Sequence, residues 1–179
     1  MIVPDEKDWT WVLHRPCGEC GFDASTTSAA DVAGLVRGNA AAWQALLRGG
    51  LVSPGRPNDA TWSSLEYACH VRDVYRRYLG RLELMLDEDD PMFLNWDQDA
   101  SALEDACDEQ EPAQVVGELA DAAEGLASRL DRVENQQWER PGRRSDGASF
   151  TVDSIARYMV HDTIHHVWDV ERIAGTTSR

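Results

Sequence analysis

The sequence predicts an all-α fold, a four-helix bundle with an N-terminal arm and a long crossover between helices 2 and 3. Three observations carry that reading. Four stretches of the 179-residue chain repeat apolar residues at the helical period of about 3.6, and no segment makes a convincing strand. The connections also differ in length, with a short Pro/Gly-rich loop joining the first pair of helices and a long acidic segment joining the second and third.

Residues 1–26 read as an ordered arm, with Trp9, Trp11 and Phe22 around Cys17-Gly18-Glu19-Cys20-Gly21, and residues 27–179 as the bundle domain. The C-x-x-C spacing fits two small buried thiols in a tight turn, or a small metal site borrowing His14 or another cysteine; no second C-x-x-C follows. The first helix starts near Ser28, where Ser28-Ala29-Ala30-Asp31 resembles a capping box, and stops at Gly49-Gly50. The second starts at Ser63-Ser64-Leu65-Glu66 and carries an apolar stripe of Leu65, Ala68, Cys69, Tyr75, Tyr78, Leu79, Leu82 and Met85. His70 lies at the edge of that stripe. From Asp87 to Pro112 the chain is acidic without the spacing of a calcium loop, so it reads as a solvated crossover. Within it Phe93-Leu94-Asn95-Trp96 is apolar enough to fold back as a lid or pocket wall. Pro112 opens the third helix, which contains no histidine or cysteine and has a packing role. A basic loop, Pro141 to Ala148, leads to the fourth helix, capped by Thr151 and ending near Ala174 before Gly175.

With 17 Lys+Arg against 32 Asp+Glu, the formal charge of −15 argues against nucleic acid or an anionic membrane as partner. The N-terminal residues lack the basic and apolar segments of a signal peptide, and no stretch offers the ~18 apolar residues of a membrane span, so a soluble, cytoplasmic protein is expected. Four scattered cysteines, Cys17, Cys20, Cys69 and Cys107, suggest reduced thiols. A homodimer is compatible with the apolar helix faces, though nothing in the sequence requires one.

The chemistry concentrates in His161-Asp162-Thr163-Ile164-His165-His166. In a helix His161 and His165 stand one turn apart on one face, with His166 rotated away. Two imidazoles so placed can share a metal ion, and a catalytic zinc-type centre needs a third protein ligand and an open position. His70, on the second helix, is the third histidine that stands out.

Trp62-x-x-x-Glu66-x-x-x-His70, followed by His161-x-x-x-His165 with a further histidine at 166, resembles the DinB-like metalloprotein superfamily. The resemblance covers roughly residues 28–174, and the stretch from Pro141-Gly142-Arg143-Arg144 through Phe150-Thr151-Val152 to His161-Asp162 is similar to its actinobacterial members. It implies a fold related to mycothiol-dependent maleylpyruvate isomerase, and a divalent metal, zinc or nickel, on the triad His70, His161 and His165. It further implies kinship with thiol S-transferases that use bacillithiol or mycothiol as co-substrate. The expected enzyme is then a metal-dependent S-transferase in which a small thiol binds the metal through sulfur and attacks an electrophile.

Asp162, His166 and Glu66 are candidates for orienting the ligand imidazoles, with an exposed ion pair the alternative for Asp162 and His166. Arg157, one turn before His161, and the pair Arg143 and Arg144 are candidates for meeting a polar thiol cofactor, with solvated arginines the alternative. Two other classes stay open: a hydrolase using metal-activated water, and a non-enzymatic metal-binding stress-response module.

Overall fold

In the computed structural model, which describes residues 8–94, 96 and 106–177, four helices form the body of the protein: α1 (Val32–Arg48), α2 (Ser64–Asp87), α3 (Pro112–Leu130) and α4 (Val152–Thr177). Each begins where local chemistry favours it. A 3₁₀ turn capped by Ser28 leads into α1, and Ser63 and Glu66 satisfy each other's backbone N–H groups at the start of α2. Pro112 occupies the first turn of α3, and Thr151 Oγ1 accepts from the Ser154 N–H at the start of α4. At the far end α4 continues through Gly175 to Thr177 instead of ending near Ala174.

The order of packing departs from chain order. Both α3 and α4 lie against α1 and α2, so α1 and α2 occupy one diagonal of the bundle and α3 and α4 the other. Trp43, Leu65, Tyr75, Leu119, Leu126 and Met159 are fully buried between them. A polar link crosses this core: Asn39 of α1 donates to the Thr163 carbonyl of α4 at 2.8 Å and accepts from the Tyr75 hydroxyl of α2 at 2.7 Å. Buried polar groups persist where they are mutually satisfied, and this trio fixes three helices relative to one another.

The basic loop before α4 contains structure that periodicity did not reveal. Three short strands, β1 (Met92–Phe93), β2 (Pro141–Arg144) and β3 (Ser149–Thr151), form a sheet in that order, with β1 parallel and β3 antiparallel to β2. Segments so short carry too few residues to show a period of two. Gly147, at φ 99°, supplies the left-handed position of the hairpin turn, and Gly142 passes so close to Met85 that a Cβ would stand 2.8 Å from its side chain. The sheet also anchors the beginning of the crossover. Arg81 of α2 donates to the Leu94 carbonyl at 3.1 Å and lies over the Phe93 ring, which is buried. Asn95 and the acidic residues Asp97, Asp99, Glu104 and Asp105 lie outside the described residues. Among the described residues no helix is long and apolar enough to cross a membrane, and the four cysteines are free thiols.

Candidate metal centres

The fourth helix presents two ligand-bearing faces. Residues four apart share a face, and each step along the chain rotates the side chain by about 100°. Asp162 and His166 therefore form one pair and His161 and His165 another. The first pair meets His70 on α2; the second meets Cys17 and Cys20 on the N-terminal arm. Within each group the potential ligand atoms all lie within 4.8 Å of one another.

The His70, Asp162 and His166 group lies between α2 and α4. Asp162 Oδ2 is 3.3 Å from His70 Nε2, and its Oδ1 is 3.4 Å from His166 Nε2. Behind His166, Asp169 Oδ2 stands 3.1 Å from Nδ1. That contact holds a proton on Nδ1, so a cation that displaces the Nε2 proton would meet the Nε2 lone pair on the side of the cluster. His70 is buried, and its Nδ1 has no hydrogen-bond partner. Burial opposes charge on Asp162, but His166 and His70 outweigh it and hold the carboxyl well below its usual pKa. Burial likewise opposes charge on His166, and Asp162 and Asp169 reverse that effect, raising the ring to about 9. Burial pushes His70 down, toward the neutral imidazole that metals require.

Aromatic groups wall this centre. Trp96 stacks on His70 with centroids 5.1 Å apart and planes 4° from parallel, while Arg77 lies over the Trp96 ring, 4.5 Å from its centroid. Trp62 packs on His70 and Tyr67 on His166. Trp96 thus stands over His70 as a wall, the role suggested by the apolar stretch it belongs to.

The second group is assembled by the arm. The Cys17 N–H donates to the Phe22 carbonyl and the Gly21 N–H to the Cys17 carbonyl, with Gly21 at φ 75°, so the C-x-x-C segment closes into a tight turn. Arg157 of α4 donates to the Ala24 carbonyl at 2.8 Å and seats the arm. Trp9 packs on both His161 and His165, at centroid distances of 5.8 and 5.6 Å. Cys17 Sγ is 3.7 Å from His165 Nδ1, and Glu19 is 3.3 Å from the other nitrogen of that ring. His161 is buried, its Nε2 without a hydrogen-bond partner, and burial lowers its pKa to about 4. Burial pushes the Cys20 thiol up to about 11.

These positions redraw several sequence-based expectations. The triad of His70, His161 and His165 is divided between two clusters, because His161 and His165 face the arm and Asp162 and His166 face α2. His166, expected beside the ligands, stands with Asp162 and His70 in one of the two groups that could hold a metal ion. Glu66 is occupied elsewhere, capping Ser63 and pairing with Arg56. Arg157 is bound to Asp153 and the arm, Arg143 pairs with Asp90, and Arg144 pairs with Asp146 and lies over Phe150 and Tyr158. His14 is exposed and takes no part in the cysteine cluster, whose partners come from α4. Asp169 went unnoticed in the sequence, although its spacing of three from His166 and four from His165 was a legible signal.

Comparison with solved structures finds YfiT from Bacillus subtilis, described as a probable metal-dependent hydrolase with an unusual four-helix bundle topology. It matches at a TM-score of 0.70 and 16% sequence identity, over 97% of this chain and 93% of that one. Comparison with curated protein sequences returns no match. A family model for the DinB superfamily matches residues 54–170, a span that takes in α2, α3, most of α4 and all of the His70, Asp162 and His166 cluster. The chain belongs to the DinB superfamily.

Proposed function

We propose that this chain is a metal-dependent enzyme in which His70, Asp162 and His166 hold a divalent cation, zinc before nickel, and leave one position open for a small nucleophile. The observation that carries this reading is their convergence within 4.8 Å, with Asp169 behind the outer nitrogen of His166. Three protein ligands with a carboxylate backing one imidazole is the pattern of catalytic rather than structural sites. A cation so held lowers the pKa of a thiol or a water in its remaining position. The surrounding residues supply the rest: Asp169 keeps His166 in its ligating tautomer, and Trp62, Tyr67 and Trp96 exclude bulk water around the cluster.

We assign the nucleophile as a low-molecular-weight thiol of the mycothiol type and the reaction as S-transfer. The sulfur bonds to an electrophilic centre, and the thiol proton leaves to solvent or with the leaving group. The resemblance of the histidine motifs to those of thiol S-transferases in the superfamily supports this. A second reading, hydrolysis by metal-activated water, is favoured by the mixed imidazole and carboxylate set, which is shared with zinc peptidases, and by the description of YfiT.

One assay separates them. Purified protein, stripped and reloaded with zinc or nickel, is mixed with mycothiol, bacillithiol or glutathione and monochlorobimane, and in parallel with a panel of esters and amides. Metal-dependent thiol consumption that disappears in His166→Ala supports S-transfer; metal-dependent ester or amide cleavage without thiol consumption supports hydrolysis. Turnover unaffected by stripping the metal overturns both.

A further inference from the structure

We propose that Cys17, Cys20, His161 and His165 form a second metal centre, a closed Cys2His2 site for zinc that fastens the N-terminal arm to α4. Four features support it. The four ligand atoms lie within 4.8 Å of one another, so a single ion can reach all of them. A tetrahedral zinc with bonds of about 2.3 Å to sulfur and about 2.0–2.1 Å to nitrogen sets sulfur and nitrogen ligands roughly 3.6 Å apart. Cys17 Sγ and His165 Nδ1 are 3.7 Å apart. His161, 4% exposed, has an Nε2 without a hydrogen-bond partner, a costly arrangement unless a ligand satisfies it. Finally, Glu19 lies 3.3 Å from the outer nitrogen of His165, the same carboxylate support that Asp169 gives His166.

The two centres differ in kind. Four protein ligands leave no open position, which is the hallmark of a structural site, whereas three ligands at His70, Asp162 and His166 leave one. The arm needs such a fastening. Among the described residues its regular structure ahead of the C-x-x-C turn is the 3₁₀ turn Thr10–Leu13, and the cross-link from Cys17 to His165 spans 148 positions of sequence. A redox pair is the rival role for Cys17 and Cys20. Reactive cysteines sit in partly exposed, electropositive surroundings, and Cys17 is 3% exposed beside a carboxylate-rich α4 segment. The two cysteines lie outside the span matched by the superfamily model and the two histidines inside it, so the centre would join the arm to the domain.

Cobalt substitution of the full-length protein tests the proposal. Chelator-stripped protein kept under reducing conditions is titrated with Co(II). The expected result is a sulfur-to-cobalt charge-transfer band in the near ultraviolet together with intense visible bands of tetrahedral cobalt. The charge-transfer band persists in His166→Ala, which removes a ligand of the open centre only, and vanishes in the double variant Cys17→Ser/Cys20→Ser. Should the double variant fail to fold, the wild-type spectrum and the slowing by zinc of thiol modification with a disulfide reagent carry the test. A wild-type protein with no charge-transfer band overturns the proposal, as does a Cys17–Cys20 disulfide in protein purified without reductant. Neither result bears on the open centre, whose readout is turnover.

Discussion

Asp169 Oδ2 lies 3.1 Å from Nδ1 of His166, inside the bundle and one turn along α4 from the ligand face. The same oxygen is 3.9 Å from Nε2 of His165, so one carboxylate stands between the two centres. Removing its charge without its shape, as in Asp169→Asn, weakens zinc at the open centre by about 10–100-fold, since supporting partners of ligating histidines are worth that much. Competition with a chromogenic chelator measures it. Unaltered affinity with intact helicity would show that Asp169 does not set the His166 tautomer.

The polar link through Asn39 is a stability device. In Asn39→Ala the Thr163 carbonyl and the Tyr75 hydroxyl are left buried with a partner removed, and the expected loss is about 1–3 kcal/mol in urea denaturation. A variant as stable as the parent would mean that water satisfies these groups.

Ser63→Ala tests the place of Glu66. The Ser63 hydroxyl accepts from the Glu66 N–H at 3.1 Å, and loss of a helix cap costs about 1 kcal/mol. Metal affinity stays at its parental value, because Glu66 serves the cap and Arg56 rather than His70. A fall in metal affinity matching the stability loss would return Glu66 to the site.

Acid affects the bundle through Glu124 of α3. Hydrogen bonds from Arg37 and Ser128 hold this carboxylate at about 2, below its ordinary value of 4.5. A depressed folded-state pKa contributes stability that is fully present above 4.5 and is lost as pH falls toward about 2. Glu124→Gln removes that contribution, so the gap in urea midpoint between parent and variant is largest near neutral pH and closes in acid. The pair is exposed, and added salt shrinks the gap. A gap that widens on acidification contradicts the assignment.

Much of this molecule is written in local patterns. The caps at Ser28, Ser63 and Thr151, Pro112 at the start of α3 and the apolar stripe of α2 place the four helices. His70 and the histidine-rich turn of α4 are legible as a metal-binding region for the same reason. The division into two centres is not, because Asp162 and His166 share the i, i+4 spacing of His161 and His165, and spacing alone cannot say which face meets α2. That choice follows from the diagonal arrangement of α1 and α2 and from an arm that returns to α4 across most of the chain. The hairpin at Gly147 escaped for a different reason, its strands being shorter than any measurable period.

Thiol or ester turnover and metal content, measured together on His166→Ala and on His161→Ala, bear most directly on the division of the histidines. The account predicts that His166→Ala loses turnover and the metal of the open centre while keeping the cobalt–thiolate spectrum, and that His161→Ala loses that spectrum and keeps zinc at the open centre. Loss of turnover and of open-centre metal in His161→Ala, with His166→Ala retaining both, would contradict it and restore the triad of His70, His161 and His165.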